Sequence, residues 1–307
     1  MSRIIIAVDD SERSEDAVAF GGALARRSGA AVTVAHAYPW HHLTLAGASE
    51  ANQYLLEESE RTIQRVSGSL RDLPALETRS LAESSPARGL QELAEEQEAG
   101  LIVVGSSRTG PLGRVLPGST AERLLHGSPC PVAVVPHGYR TAEQRGFKVI
   151  ACGWDGSPES DAALAAAQEL VERMSASLRV IRVVEPPAYL TFPPALGVSY
   201  EQYGQDARSN VEQALARRMA HLPAELEAES ELREGFAARE LIGVSGAADL
   251  LVLGSRGYGP LRAVLLGGVS GKVVAGAGCP VIVVPNGSHR AAASVFSASA
   301  VTAAGSR

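Results

Sequence analysis

Ile4-Ile5-Ile6-Ala7-Val8-Asp9 is a short apolar run closed by an acid, and it returns as Ile150-Ala151-Cys152-Gly153-Trp154-Asp155. A continuous run of this length suits a strand buried on both faces. Working outward, Leu101-Ile102-Val103-Val104-Gly105-Ser106 returns as Leu250-Leu251-Val252-Leu253-Gly254-Ser255. Pro129-Cys130-Pro131-Val132-Ala133-Val134-Val135-Pro136 likewise returns, as Gly278-Cys279-Pro280-Val281-Ile282-Val283-Val284-Pro285. The early matches are offset by 146 residues and the later ones by 149, so the length difference lies in the variable middle. So long a period makes each copy a whole domain rather than a solenoid unit. The boundaries read as domains over 1–138 and 146–286, joined by a polar linker over 137–146. The Ala- and Ser-rich stretch 287–307 reads as a disordered tail.

Each copy alternates strand and helix. After the first strand, Ala17, Phe20, Gly21 and Leu24 repeat at helical spacing, with Ser11 or Ser14 as the cap. Ala163, Ala166, Ala167 and Leu170 repeat it in the second copy, with Ser157 as N-cap and Pro158 in the first helical position. Strands follow over 31–37 and 178–184. A helix with Leu56, Ile63, Val66 and Leu70 on one stripe comes next, answered by Val211, Leu215 and Met219. Third strands near 76–81 and 226–232, a helix over 86–97, a strand over 101–104, a helix opening at Ser119 and a strand over 131–135 complete the pattern. Five strands alternating with four helices predict an α/β fold: two tandem open parallel five-stranded sheets with helices on both faces.

Composition removes several classes of function. Acidic residues outnumber basic ones, 34 to 28, for a net charge of -6, and no basic stripe suited to nucleic acid is visible. The 3 cysteines form no C-x-x-C pair, which argues against a disulfide framework or zinc cluster and suits a reducing, cytoplasmic setting. No apolar run approaches the roughly 20 residues of a membrane helix, so no membrane partner is expected.

Ligands of open α/β sheets bind outside the carboxyl ends of the strands. Three features meet there in each copy: Asp9 or Asp155 after the first strand, a glycine loop after the fourth, and a Gly-Ser or Gly-Gly pair opening the last helix. The loops run Gly105 to Arg108 and Gly254 to Gly257, and each is followed by nine residues before Gly118-Ser119 or Gly267-Gly268. Glycines admit close backbone approach, and a helix start offers unpaired N–H groups to phosphate. No Walker A loop, G-x-G-x-x-G or G-x-S-x-G occurs.

The pattern G-2x-G-9x-G-(S/T), with a first-strand Asp and a closing Pro-Val-x-Val-Val strand, resembles the universal stress proteins, and the likeness spans both copies. The resemblance implies a Rossmann-like fold with sheet order 3-2-1-4-5 that binds adenine nucleotide: ATP, or AMP or ADP, with Mg. Many members bind ATP and others do not. Carried over by position, Asp9 and Asp155 match the Asp near ribose and adenine, and Ala37 and Val183 match the residue lying against adenine. Gly105, Gly118, Ser119 and Thr120 match the phosphate cradle of the first copy. Gly254, Gly257, Gly267, Gly268 and Val269 match that of the second, with Arg256 beside Gly257. The first copy departs from the pattern at Arg108, which either clamps phosphate or fills its space. The second departs at Gly268, which lacks the hydroxyl.

Plainer readings stand beside these. Asp9 and Asp155 also suit a helix N-terminus, and Ser119 with Glu122 forms a capping box that needs no nucleotide. Trp154 fills space or stacks near adenine. His36, His41 and His42 read as solvated or capping, and Cys130 and Cys279 as packing. The last strands, over 132–135 and 281–284, are apolar edges. The resemblance implies that they pair within the chain as a pseudo-dimer, and a homodimer is compatible with the same edges. With no catalytic base, metal cluster or activated nucleophile, two readings follow: a nucleotide-binding stress-response sensor or adaptor with at most slow ATP hydrolysis, or a protein-interaction module with degenerate sites.

Overall fold

The structure, a computed structural model, describes residues 3–40, 48–107, 115, 117–141, 146–185, 200–255 and 268–285. The first half runs β1 (Arg3–Val8), α1 (Arg13–Ser28), β2 (Ala31–Tyr38), α2 (Ala48–Ser67), β3 (Leu76–Ala82), α3 (Pro86–Glu96), β4 (Leu101–Gly105), α4 (Ser119–Gly127) and β5 (Val132–Val135). The second runs β6 (Val149–Gly153), α5 (Pro158–Met174), β7 (Ser177–Val184), α6 (Tyr200–Met219), β8 (Ala228–Glu234), α7 (Ala237–Ser245), β9 (Leu250–Gly254), α8 (Gly268–Val274) and β10 (Val281–Val284). The stretch 287–307, read as a tail, lies outside the described residues.

The strands form an α/β architecture with the order β3-β2-β1-β4-β5-β10-β9-β6-β7-β8. Within each half the pairs are parallel and the order is that implied by the resemblance. The two five-stranded units pair through their last strands, as the resemblance implied, and that pairing merges them into one ten-stranded sheet. β5 and β10 pair antiparallel, Val134 opposite Val281, Ala133 opposite Ile282 and Val132 opposite Val283. These six residues are at most 2% exposed, so the join has the character of a sheet interior.

Strand residues alternate between the two faces, as the pleat dictates. Ile4 and Ile6 enter one core with Phe20, Leu24 and Ile63, and Ile5 enters the other with Leu90, Ile102 and Leu124. Each core crosses the join. The first continues into Ile150, Leu164 and Leu170, and the second into Leu251, Val273 and Val281.

The described residues after β5 are anchored on α1. Phe20 meets Tyr139 edge-on at 5.6 Å and Phe147 at 5.8 Å. The buried Asp16 accepts the N–H of Gly138 at 2.8 Å and that of Arg140 at 2.9 Å. Gly138 has φ 83°, in the left-handed region where glycine is favoured. A second tie crosses the join: Val115, fully buried, donates its N–H to the Ala277 carbonyl at 2.9 Å.

Candidate functional site

β1 and β6 end at Val8 and Gly153, and the acids just beyond them are held alike. Ser11 donates to Asp9 Oδ1 through its N–H (2.9 Å) and its hydroxyl (2.5 Å). Ser157 does the same for Asp155 Oδ1, at 3.0 and 2.5 Å. Each acid thus closes a two-residue turn that fixes its carboxylate at the strand end. In the second half Ser157 also caps α5, accepting from the Ser160 N–H at 3.2 Å, with Pro158 opening the helix. In the first half the expected cap is corrected. Glu12 is the N-cap of α1 and makes no side-chain capping bond, while Ser14 Oγ accepts the Asp9 N–H at 2.7 Å. The serines there serve the aspartate rather than the helix.

A cleft of about 360 Å³ opens at the carboxyl ends of β6, β7 and β9. Ile181, Val183, Leu241 and Leu253 give it apolar walls, and Asp155, Glu159, Arg182 and Glu185 supply charge. Gly254, Val269 and Ser270 bring in the end of β9 and the start of α8. Trp154 also lines it. Its indole N–H donates to Asp161 at 2.9 Å, and Arg218 of α6 reaches the same carboxylate oxygen at 3.0 Å. The Arg182 guanidinium lies 5.8 Å from the Trp154 ring centroid, within cation–π range. It also donates to the Trp154 carbonyl at 3.5 Å. Burial lowers the Arg182 pKa, and the nearby Asp155 opposes that shift.

The glycines divide by cause. A Cβ on Gly254 would stand 2.5 Å from the Glu159 carbonyl oxygen, and one on Gly105 would stand 2.7 Å from that of Arg13. Both mark a strand end pressed on a helix start, whatever the ligand. Among the described residues Gly118 and Gly268 have room: the nearest described atom to a Cβ on Gly118 is 3.7 Å away, and no described atom lies within 4 Å at Gly268. Gly118 is the N-cap of α4 in an extended conformation, and Ser119 is the first helical residue. The expected capping box therefore does not form, because Ser119 sits one position too late to cap. Ser119 is exposed, and Thr120 and Val269 are half-buried. The loop starts match between halves: the Ser106 N–H donates to the Val135 carbonyl and the Ser255 N–H to that of Val284, both at 2.9 Å. Arg108, Arg256, Gly257 and Gly267 lie outside the described residues.

Ala37 and Val183 are half-buried near the ends of β2 and β7, and Val183 lines the cleft. The residues just before them are the ones that sequence reasoning misjudged. His36, expected as solvated or capping, bonds through Nδ1 to the buried Ser59 hydroxyl at 2.9 Å. Burial lowers its pKa against the pull of Asp9 and Asp10. Arg182 holds the same repeat position in the second half and was missed, as were Arg13 and Glu159, a second such pair. Laying the copies over each other at the 146-residue offset would have exposed both pairs. His41 and His42 lie outside the described residues, and among the described residues no group of His, Cys, Asp or Glu could hold a metal. Cys130, Cys152 and Cys279 are buried, and desolvation pushes each thiol up to about 12. No helix among the described residues is long and apolar enough to cross a membrane.

The described arrangement can be compared with known proteins. A universal stress protein of Mycobacterium tuberculosis H37Rv, Rv2319c, is 30% identical over 244 residues, 76% of this chain and 80% of that protein. One from Mycolicibacterium smegmatis is 29% identical over 291 residues, 92% of this chain and 96% of that protein. Among solved structures, a universal stress protein from Archaeoglobus fulgidus aligns with a TM-score of 0.64 at 20% identity, covering 93% of this chain and 98% of its own, a likeness of fold. The family model of the universal stress proteins matches twice, over residues 1–136 and 146–285. The chain therefore belongs to the universal stress protein family and carries the family's unit in tandem.

Proposed function

We propose that this protein binds adenine nucleotide at the carboxyl ends of its strands and acts as a sensor or adaptor in a stress response. The observation that carries the reading is the second-half cleft, where Asp155, Val183, Gly254 and Val269 line one space of about 360 Å³. That volume lies within the roughly 300–1,000 Å³ of small-molecule sites. Its mix of apolar wall, fixed carboxylate and exposed helix start suits a base, a ribose and phosphate in turn. ATP with Mg is the form we favour, and the side chains argue for binding rather than fast chemistry. Asp155 is committed to its serine turn, and the three cysteines are buried thiols. We therefore propose at most slow hydrolysis.

The test is nucleotide carried through purification. The purified protein should show excess absorbance at the nucleotide band, and mass spectrometry of the released ligand should identify adenine nucleotide. Protein that emerges empty and gives no heat when titrated with ATP, ADP or AMP would leave the protein-interaction module as the better reading.

A further inference from the structure

His36 and Arg182 hold the same repeat position, each beside the strand end that leads into an aspartate. His36 on β2 pairs in register with Val8, the residue before Asp9. Arg182 on β7 donates to the carbonyl of Trp154, the residue before Asp155, at 3.5 Å. The surroundings of the two differ to match. His36 Nδ1 meets Ser59 Oγ at 2.9 Å, and the Ser59 hydroxyl donates to Ser80 Oγ at 2.9 Å. Ser59 has one hydroxyl hydrogen, so Nδ1 carries the hydrogen of the first bond and Nε2 is the nitrogen that takes up a proton. The matching positions of α6 and β8 hold Val211 and Leu232, which offer no hydroxyl. Arg182 turns instead to the carbonyl and ring of Trp154.

The described charged groups that face His36 come from two elements. Asp9 and Asp10 follow β1, and both pull the imidazole toward its charged form. Arg65 on α2 donates to the Asp9 carbonyl at 3.3 Å. Glu60, also on α2, acts on Tyr38, two residues farther along β2. β3 contributes the neutral Ser80 opposite His36, and α1 contributes Ser14, bonded to the Asp9 carboxylate at 2.8 Å. Of these residue types only histidine ordinarily changes its charge between about pH 5 and pH 8. Burial holds the His36 pKa below the ordinary 6.5.

We infer that His36 is a proton-operated counter-charge in the first half. On taking up a proton it sets beside Asp9 the positive charge that Arg182 keeps permanently beside Asp155, and the first half then holds anionic nucleotide more tightly. The inference rests on the adenine-nucleotide reading above and adds the condition under which the first half binds. An anionic ligand entering beside Asp9 and Asp10 meets like charge, and a protonated imidazole offsets it. By linkage, bound nucleotide must in turn favour the protonated imidazole. The second half, with an arginine in that place, has no such proton to gain.

The test uses the full chain with Val183→Phe, which fills the second cleft and leaves the first half to be read. Calorimetry with ATP and Mg runs from about pH 8 to about pH 5. Affinity should rise by about tenfold as the pH falls. His36→Gln keeps a hydrogen-bonding group for Ser59 but takes up no proton, and should remove that rise. His36→Arg should bind tightly at both ends of the range. Protonation of ATP itself is common to all three proteins and cancels in the comparison. The ring signals of His36, assigned among the 7 histidines by their loss in His36→Gln, should titrate at a higher pH when ATP is bound. The same pH profile in parent and His36→Gln overturns the inference, as does a His36 titration that ATP does not move. If no adenine nucleotide binds the unsubstituted chain at any pH, the proposed function falls as well. If nucleotide binds and the His36 variants follow the parent, only the role of His36 falls.

Discussion

At the scale of single residues, two glycines of one motif have opposite tolerances. Gly254→Ala sets a methyl 2.5 Å from a backbone carbonyl that cannot swing aside, and should destabilise the fold by about 1–3 kcal/mol. Gly268→Ser meets no described atom within 4 Å and adds the hydroxyl that the second cradle lacks. It should leave the melting temperature unchanged and tighten nucleotide binding by about 0.5–1.5 kcal/mol, read by thermal unfolding and calorimetry on the same samples. The thiols make a prediction about pH. Cys130, Cys152 and Cys279 ionise near 12 when folded and near 9 when exposed, so the unfolded chain loses these protons first as pH rises. Their contribution to stability should be complete below pH 9 and decline between 9 and 12, seen as a falling denaturation midpoint. A Cys130→Ala, Cys152→Ala, Cys279→Ala variant with the same alkaline profile would refute it. Asp9 and Asp155 were legible in the sequence because the repeat placed both at a strand end. Arg182 was not, since it stands with Arg179 in an otherwise apolar strand and reads as a solvated side chain until its contact with Trp154 is seen.

At the scale of elements, Ser157 joins two tasks: it starts α5 and holds the Asp155 carboxylate. Ser157→Ala should cost about 1 kcal/mol of stability from the lost cap, and should weaken nucleotide binding by freeing the acid. Ser14→Ala should disturb Asp9 with less effect on α1, whose N-cap is Glu12. Comparing the two melting temperatures checks the difference. The helices themselves were legible, because Ala17, Phe20 and Leu24, like Ala163, Ala167 and Leu170, meet at helical spacing and all are buried. Their exact starts were not. Ser11, Ser14 and Ser119 all look like caps, and only the backbone decides which hydroxyl faces an orphan N–H. The strands were legible as buried runs; an all-apolar run such as 132–135 does not itself name its neighbour, and the pairing with 281–284 came from the family resemblance.

At the scale of the whole molecule, the continuous sheet and shared cores predict one cooperative unit. Calorimetric unfolding should show a single transition, although the sequence repeats as two domains. Ile282→Asp, buried opposite Ala133 at the join, should lower that transition for the whole chain by more than about 3 kcal/mol. Two separate transitions in the parent chain, or a change confined to one half in the variant, would contradict the shared core.

The antiparallel meeting of β5 and β10 carries one more consequence. Strands of the first half run opposite to those of the second, so their carboxyl ends emerge at opposite margins of the sheet. The molecule is a two-ended plug: whatever reads one margin leaves the other open to a different reader, and two such readers can be bridged while remaining out of each other's reach.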